Sequence, residues 1–119
     1  MRAILLDAKT RTVKEVDYNN DWKTISPTIG CDVFTVVRLG NGDDLYVDDE
    51  GLLKVDANTV FIKVPWYPTP LAGSGLIMSC DQMGSSRASK HDADYYRSQV
   101  RFVSSQAVWL EQSLKGGEL

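Results

Sequence analysis

Cysteine and histidine are scarce in these 119 residues: two cysteines, Cys31 and Cys80, and one histidine, His91. Neither cysteine belongs to a Cys-x-x-Cys pair, which excludes a zinc ribbon and a dithiol redox motif. One histidine cannot build a His-rich metal centre. Basic charge is not in excess either. The 16 acids against 13 Lys and Arg leave a formal charge of -3. That is too mild for a nucleic-acid binder working through a basic face, and too mild for an acidic mimic of DNA. Long apolar runs are missing as well. No stretch approaches the roughly 18 apolar residues of a membrane span. The opening Ala3-Ile4-Leu5-Leu6 meets Asp7 too soon to form a signal peptide. The expectation is a chain without a membrane partner, retained in the cytoplasm where it is made, with both cysteines reduced and buried.

What is present is a globular composition, 43% hydrophobic and 24% charged, enough for one core in a single domain spanning 1–119. Ala3-Ile4-Leu5-Leu6 reads as a strand buried on both faces, because nothing alternates. The charged run Thr12 to Tyr18 reads as an edge strand closing a first hairpin. Asn19-Asn20-Asp21 supplies helix N-cap types, and Trp22, Ile25 and Ile29 follow at helical spacing until Gly30 ends the helix. Asp32 to Leu39, rich in β-branched residues, predicts a central strand. Gly40-Asn41-Gly42-Asp43 predicts a tight turn into Asp44–Asp48. Gly51 suits a left-handed position in the next turn. Thr59–Val64 is another strand. The prolines of Pro65-Trp66-Tyr67-Pro68-Thr69-Pro70 stiffen an extended connection to the strand Leu76–Cys80. Asp81 to Ser98 reads as a long polar loop. Gln99–Val103 alternates as a last strand, and Ser104 or Ser105 starts a helix through Val108, Trp109, Leu110 and Leu114, stopped by Gly116-Gly117. The expected fold is α+β: a mainly antiparallel sheet of five to seven strands with two helices packed on one face.

Four constellations could carry chemistry. Asp43, Asp44, Asp48, Asp49 and Glu50 place five acids within eight residues, dense enough to hold a hard cation, although turn chemistry alone also favours such acids. Gly73-Ser74-Gly75 resembles part of a phosphate-cradling loop and could form an anion nest, or simply lead into the strand that follows. His91, Asp92 and Asp94 could contribute metal ligands, yet no partner nucleophile is singled out, and a solvated loop histidine is the plainer reading. Arg87, Lys90, Tyr95, Tyr96, Arg97 and Arg101 mix bases with aromatics, a mixture that suits base stacking, a protein interface, or tyrosines packed on the sheet. Trp22 and Trp109 are expected in the core. Trp66, beside Tyr67 and between prolines, is expected to be partly exposed, where it could anchor a partner. The candidate binding residues are therefore Trp66, Tyr67, Arg87, Lys90, His91, Tyr95, Tyr96 and Arg97. No catalytic residue, metal ligand or cofactor is assigned.

The opening Met-Arg-Ala-Ile-Leu-Leu-Asp, then Thr12–Val16, Ile29-Gly30-Cys31-Asp32, Val36–Leu39, Leu45–Leu52, Asn58 and Pro70–Leu76 resemble the small proteins catalogued as domain of unknown function 3846. The resemblance covers residues 1–81 closely and the rest loosely, so the stretch Met83 to Arg97 reads as this chain's own. That family occurs mostly in bacteriophages, plasmids and other mobile elements. The resemblance implies such a source and carries over no catalytic residues. The expected activity is that of a non-enzymatic binder, a counter-defence factor that occupies a host protein or sequesters a nucleotide-type signal. The alternative is a metal-dependent hydrolase using the acids near Asp48 and Asp81 with His91. A homodimer through Val13–Tyr18 or Pro65–Pro70 is a further expectation.

Overall fold

The computed structural model describes the backbone of residues 1–116 and the side chains of residues 1–111. The side chain of Leu114, an expected apolar position, and the stop at Gly117 lie outside what is described.

Strands β1 (Arg2–Asp7) and β2 (Thr12–Asp17) form the expected hairpin, in register from Arg2 opposite Asp17 to Asp7 opposite Thr12. A 3₁₀ turn (Trp22–Thr24) leads into α1 (Ile25–Ile29), which ends at Gly30 in the left-handed conformation, φ 76°. Strands β3 (Phe34–Arg38) and β4 (Asp44–Asp48) follow as a second hairpin, turning through Gly40 and Gly42, both at positive φ. Another 3₁₀ turn (Gly51–Lys54) precedes β5 (Val60–Lys63), β6 (Leu71–Ala72) and β7 (Gly75–Cys80). The chain closes with β8 (Ser86–Arg87), α2 (Ala93–Gln99), β9 (Arg101–Ser104) and α3 (Ser105–Gly116).

The main sheet has the order β2-β1-β7-β4-β3, antiparallel throughout, with β8 added to the end of β7. A smaller antiparallel sheet has the order β6-β5-β9. The main sheet is covered on both faces. Ile4, Leu6, Val13, Leu45, Val47 and Ile77 point to one side, against Ile62 and Val64 of the small sheet and Tyr96 and Val100 beneath α2. Ala3, Leu76 and Met78 point to the other side, against Ile25 and Ile29 of α1 and Tyr18. Double coverage explains why β1 and β7 read as unbroken apolar runs. Gly75 sits where β7 crosses β4, and a Cβ there would lie 2.7 Å from Leu45 Cδ1.

The α+β architecture with a mainly antiparallel sheet is therefore the one expected, with three differences. There are three helices rather than two: α2 joins the expected α1 and α3, and it packs on the face of the main sheet opposite α1. β3 is an edge strand rather than a central one, with Thr35, Val36 and Arg38 exposed, because β-branched composition signals a strand without fixing its place in a sheet. The polar stretch 81–98 is structured, since Asp92 caps α2 by accepting from the Tyr95 amide at 2.9 Å, while Tyr96 and Val100 share its buried face.

Two expected core residues lie outside it: Trp22 is 65% exposed and Trp109 67% exposed. Trp22 opens the 3₁₀ turn ahead of α1, and the residues buried from this segment are Ile25 and Ile29 of α1. Gly51 is not among the residues at positive φ; it is instead needed for close approach, since a Cβ there would lie 3.1 Å from the Ala72 carbonyl oxygen. Both cysteines are free and half-buried. Among the described residues, no helix is long and apolar enough to cross a membrane.

Candidate functional site

The β3–β4 turn and the start of α2 meet around Asp43, a residue only 1% exposed. Its side-chain oxygens accept from the Lys90 amide at 2.7 Å, the His91 amide at 3.2 Å and the Tyr96 hydroxyl at 2.5 Å. Asn41 completes the node. Its Oδ1 accepts from the Asp43 amide at 3.0 Å, its Nδ2 donates to the Tyr96 hydroxyl at 3.1 Å, and its carbonyl lies 3.0 Å from His91 Nε2. Burial, and next the bond to Asp43, push the Tyr96 phenol far above its ordinary range and keep it neutral.

An aromatic ladder stands on this node. His91 stacks on Tyr95 with ring centroids 4.1 Å apart, and Tyr95 stacks on Trp66 at 5.8 Å. Tyr96 meets all three edge-on, at 5.0 to 6.1 Å. The fold thus gathers Trp66, His91, Tyr95 and Tyr96 from the expected binding set. The other members disperse. Lys90 lays its stem across Gly42, and Arg87 pairs with Asp81 at 2.7 Å on β8. Arg97 pairs with Asp94 and donates to the Val13 carbonyl of the edge strand β2 at 2.7 Å. Tyr67 packs at the margin of the main core. Arg2 ties the loop to β1, donating to the Ser89 carbonyl at 2.5 Å. Among the described residues no buried side-chain nitrogen or oxygen lacks a hydrogen-bond partner, so the node is satisfied internally.

Apart from Asp43, the other constellations lie away from this node. In the Gly73-Ser74-Gly75 turn, the Gly73 amide donates to the Val60 carbonyl and Ser74 Oγ accepts from the Ala8 amide, both at 2.9 Å. These bonds fasten the lead into β7. The five clustered acids separate to the two ends of β4, about 13 Å apart at the usual rise per residue. Asp44 accepts from Cys80 Sγ at 3.3 Å, and Asp48 pairs with Lys54 at 3.1 Å. Asp81 engages the Met83 and Ser85 amides and Arg87. Among the described residues, no three His, Cys, Asp or Glu side chains converge to hold a metal ion. The constellation that the hydrolase alternative requires is not assembled.

One surface was not foreseen from the sequence. Leu52, Leu53, Val55, Trp109 and Leu110 are all exposed, Leu53 to 83%. The first four border two adjoining cavities of about 410 and 490 Å³ that share Leu52, Thr69 and Pro70 as walls. One cavity runs under the β3 edge, past Thr35, Val37, Asp48, Asp49 and Tyr67. The other runs to α3, past Val55, Phe61, Val108 and Trp109. Together they make one groove with a polar end and an apolar end. Two signals for it were legible: Leu52-Leu53 has no periodic continuation, and adjacent Val108, Trp109 and Leu110 are too many for one helix face.

Fold and surface define a class: a small α+β domain of two antiparallel sheets whose polar node is self-satisfied and whose apolar groove is open. The model of the family described as Domain of unknown function (DUF3846) matches residues 1–101, and the chain belongs to that family. Comparison with curated proteins and with solved structures finds no match. The match extends through the stretch Met83 to Arg97, beyond the residues 1–81 that the resemblance covers closely, whereas α3, with Trp109, follows the matched segment.

Proposed function

We propose that this chain is a non-enzymatic protein-binding module that occupies a host protein through the groove between the Gly51–Lys54 turn and α3. In the phage or mobile-element setting that the family resemblance implies, occupying a host protein is how a counter-defence factor would act. The observation that carries this reading is the convergence of four exposed large apolar side chains, Leu52, Leu53, Val55 and Trp109, on one groove. Contiguous apolar surface of this kind is uncommon on a chain that works alone and marks association sites. Tryptophan is among the residues that dominate such sites. Leu, Val, Phe, Pro and Trp linings favour a protein over a nucleotide-type signal, whose phosphates call for Arg, Lys or backbone amides.

The test is capture from host lysate by three immobilised forms: wild type, Trp109→Asp and His91→Ala. A stoichiometric partner retained by wild type and His91→Ala but lost by Trp109→Asp supports the groove. Loss with His91→Ala and retention by Trp109→Asp moves the contact to the aromatic ladder. A thermal shift with nucleotides and no captured protein would replace the reading with small-ligand sequestration.

A further inference from the structure

We infer that the groove receives a short basic amphipathic segment of a partner protein, with neighbouring apolar anchors in its two cavities and lysines or arginines over the Asp48–Glu50 end. This inference rests on the binding-module reading and specifies the partner's chemistry. The two cavities share Leu52, Thr69 and Pro70, so the anchors that fill them must be close together in the bound chain. A single compact segment can supply both.

Charge sets the direction. Asp48 and Asp49 line the cavity under β3, and Glu50 follows them in the chain. The Lys54 ammonium is the cation that answers these acids: it pairs with Asp48 and also feels Asp32 and Glu50. Asp49 and Glu50 have no ion pair among the described residues. This end therefore carries net negative charge. At the α3 end, Lys63 and Glu111 pair with each other at 3.3 Å, and Trp109 and Leu110 are the exposed large apolar side chains. A complementary segment is basic at one end and apolar at the other. Asp48, Asp49 and Glu50 thus act on the rim of a groove.

The test uses the full chain and three fluorescein-labelled peptides with identical apolar anchors, flanked at one end by three lysines, three serines or three glutamates. Fluorescence anisotropy should show the lysine-flanked peptide binding about tenfold more tightly than the glutamate-flanked one at low salt. The preference should shrink at about 0.5 M salt, where the screening length falls to a few ångströms. The pair Asp49→Lys and Glu50→Lys should reverse the order. Trp109→Asp and, independently, Leu53→Ser should weaken all three peptides, with unchanged circular dichroism. Equal binding of all three peptides overturns the inference. So does a failure of every peptide to bind while lysate capture still depends on Trp109; in both cases the binding-module reading stands. A Trp109-dependent dimer in sedimentation velocity makes a second copy the occupant and also overturns it. If no peptide binds and lysate capture ignores Trp109→Asp, the inference and the reading fall together.

Discussion

The node around Asp43 and the groove beside Trp109 are built in opposite ways. At the node, polar and aromatic side chains from a turn and a helix point inward, and each donor has its acceptor: Lys90 and His91 amides and the Tyr96 hydroxyl on Asp43, Asn41 on Tyr96. At the groove, Leu52, Leu53 and Trp109 are left exposed, 67% or more. Polarity ordinarily marks surface and apolarity marks core. Here a residue-by-residue reading by polarity inverts the two regions. Buried polar groups hold the fold at the node, and exposed apolar groups are left for something else at the groove.

Asp43→Ala makes the sharpest break in this contrast. It leaves a buried hydroxyl and two part-buried backbone amides without their acceptor, and we expect a loss of about 2–4 kcal/mol in unfolding free energy, read from urea denaturation. Next comes Trp66→Ala, which removes the end of the ladder and its edge contact with Tyr96, at about 2 kcal/mol by the same measurement. Tyr96→Phe follows at about 1–2 kcal/mol, since it deletes one hydroxyl while Asp43 keeps its amide donors.

Tyr96 also predicts a pH dependence. Its phenol is raised above the ordinary 10.0 in the fold, chiefly by burial, so the unfolded chain releases the proton first as pH rises. Its contribution is fully present below pH 10 and declines above it. Tyr18 and Tyr46 are raised in the same direction by burial, so Tyr96→Phe should flatten the alkaline decline only in part. The smallest stability effect belongs to the groove. Leu53→Ser and Trp109→Asp should each stay within about 0.5 kcal/mol of wild type, because neither side chain is covered. Losses comparable with that of Trp66→Ala would erase the contrast.

Local chemistry was legible in the sequence, and long-range pairing was not. The Gly40–Asp43 turn and the Gly30 stop follow from backbone preferences that a few adjacent residues express. The charged face of Thr12–Asp17 correctly marked a sheet edge. By contrast, β3 carries a composition that suits either an edge or a centre, and only the packing of β4 against β7 decides between them. For α2, Asp92 and the spacing of Tyr96 and Val100 were present in the sequence but submerged in polar residues. The sequence picked out His91, Tyr95 and Tyr96 as a group. Their role depends on Asp43, 53 residues away from Tyr96, and no local pattern encodes that partnership. Trp109 was misplaced because a helical apolar stripe predicts burial only when another element is there to receive it.

The comparison is tested most directly by amide hydrogen exchange on the full chain with and without its captured partner. The account predicts added protection at Leu52, Leu53, Val55 and Val108–Leu110, with none added from Lys90 to Tyr96. Added protection confined to Lys90–Tyr96, with the groove unchanged, would contradict it.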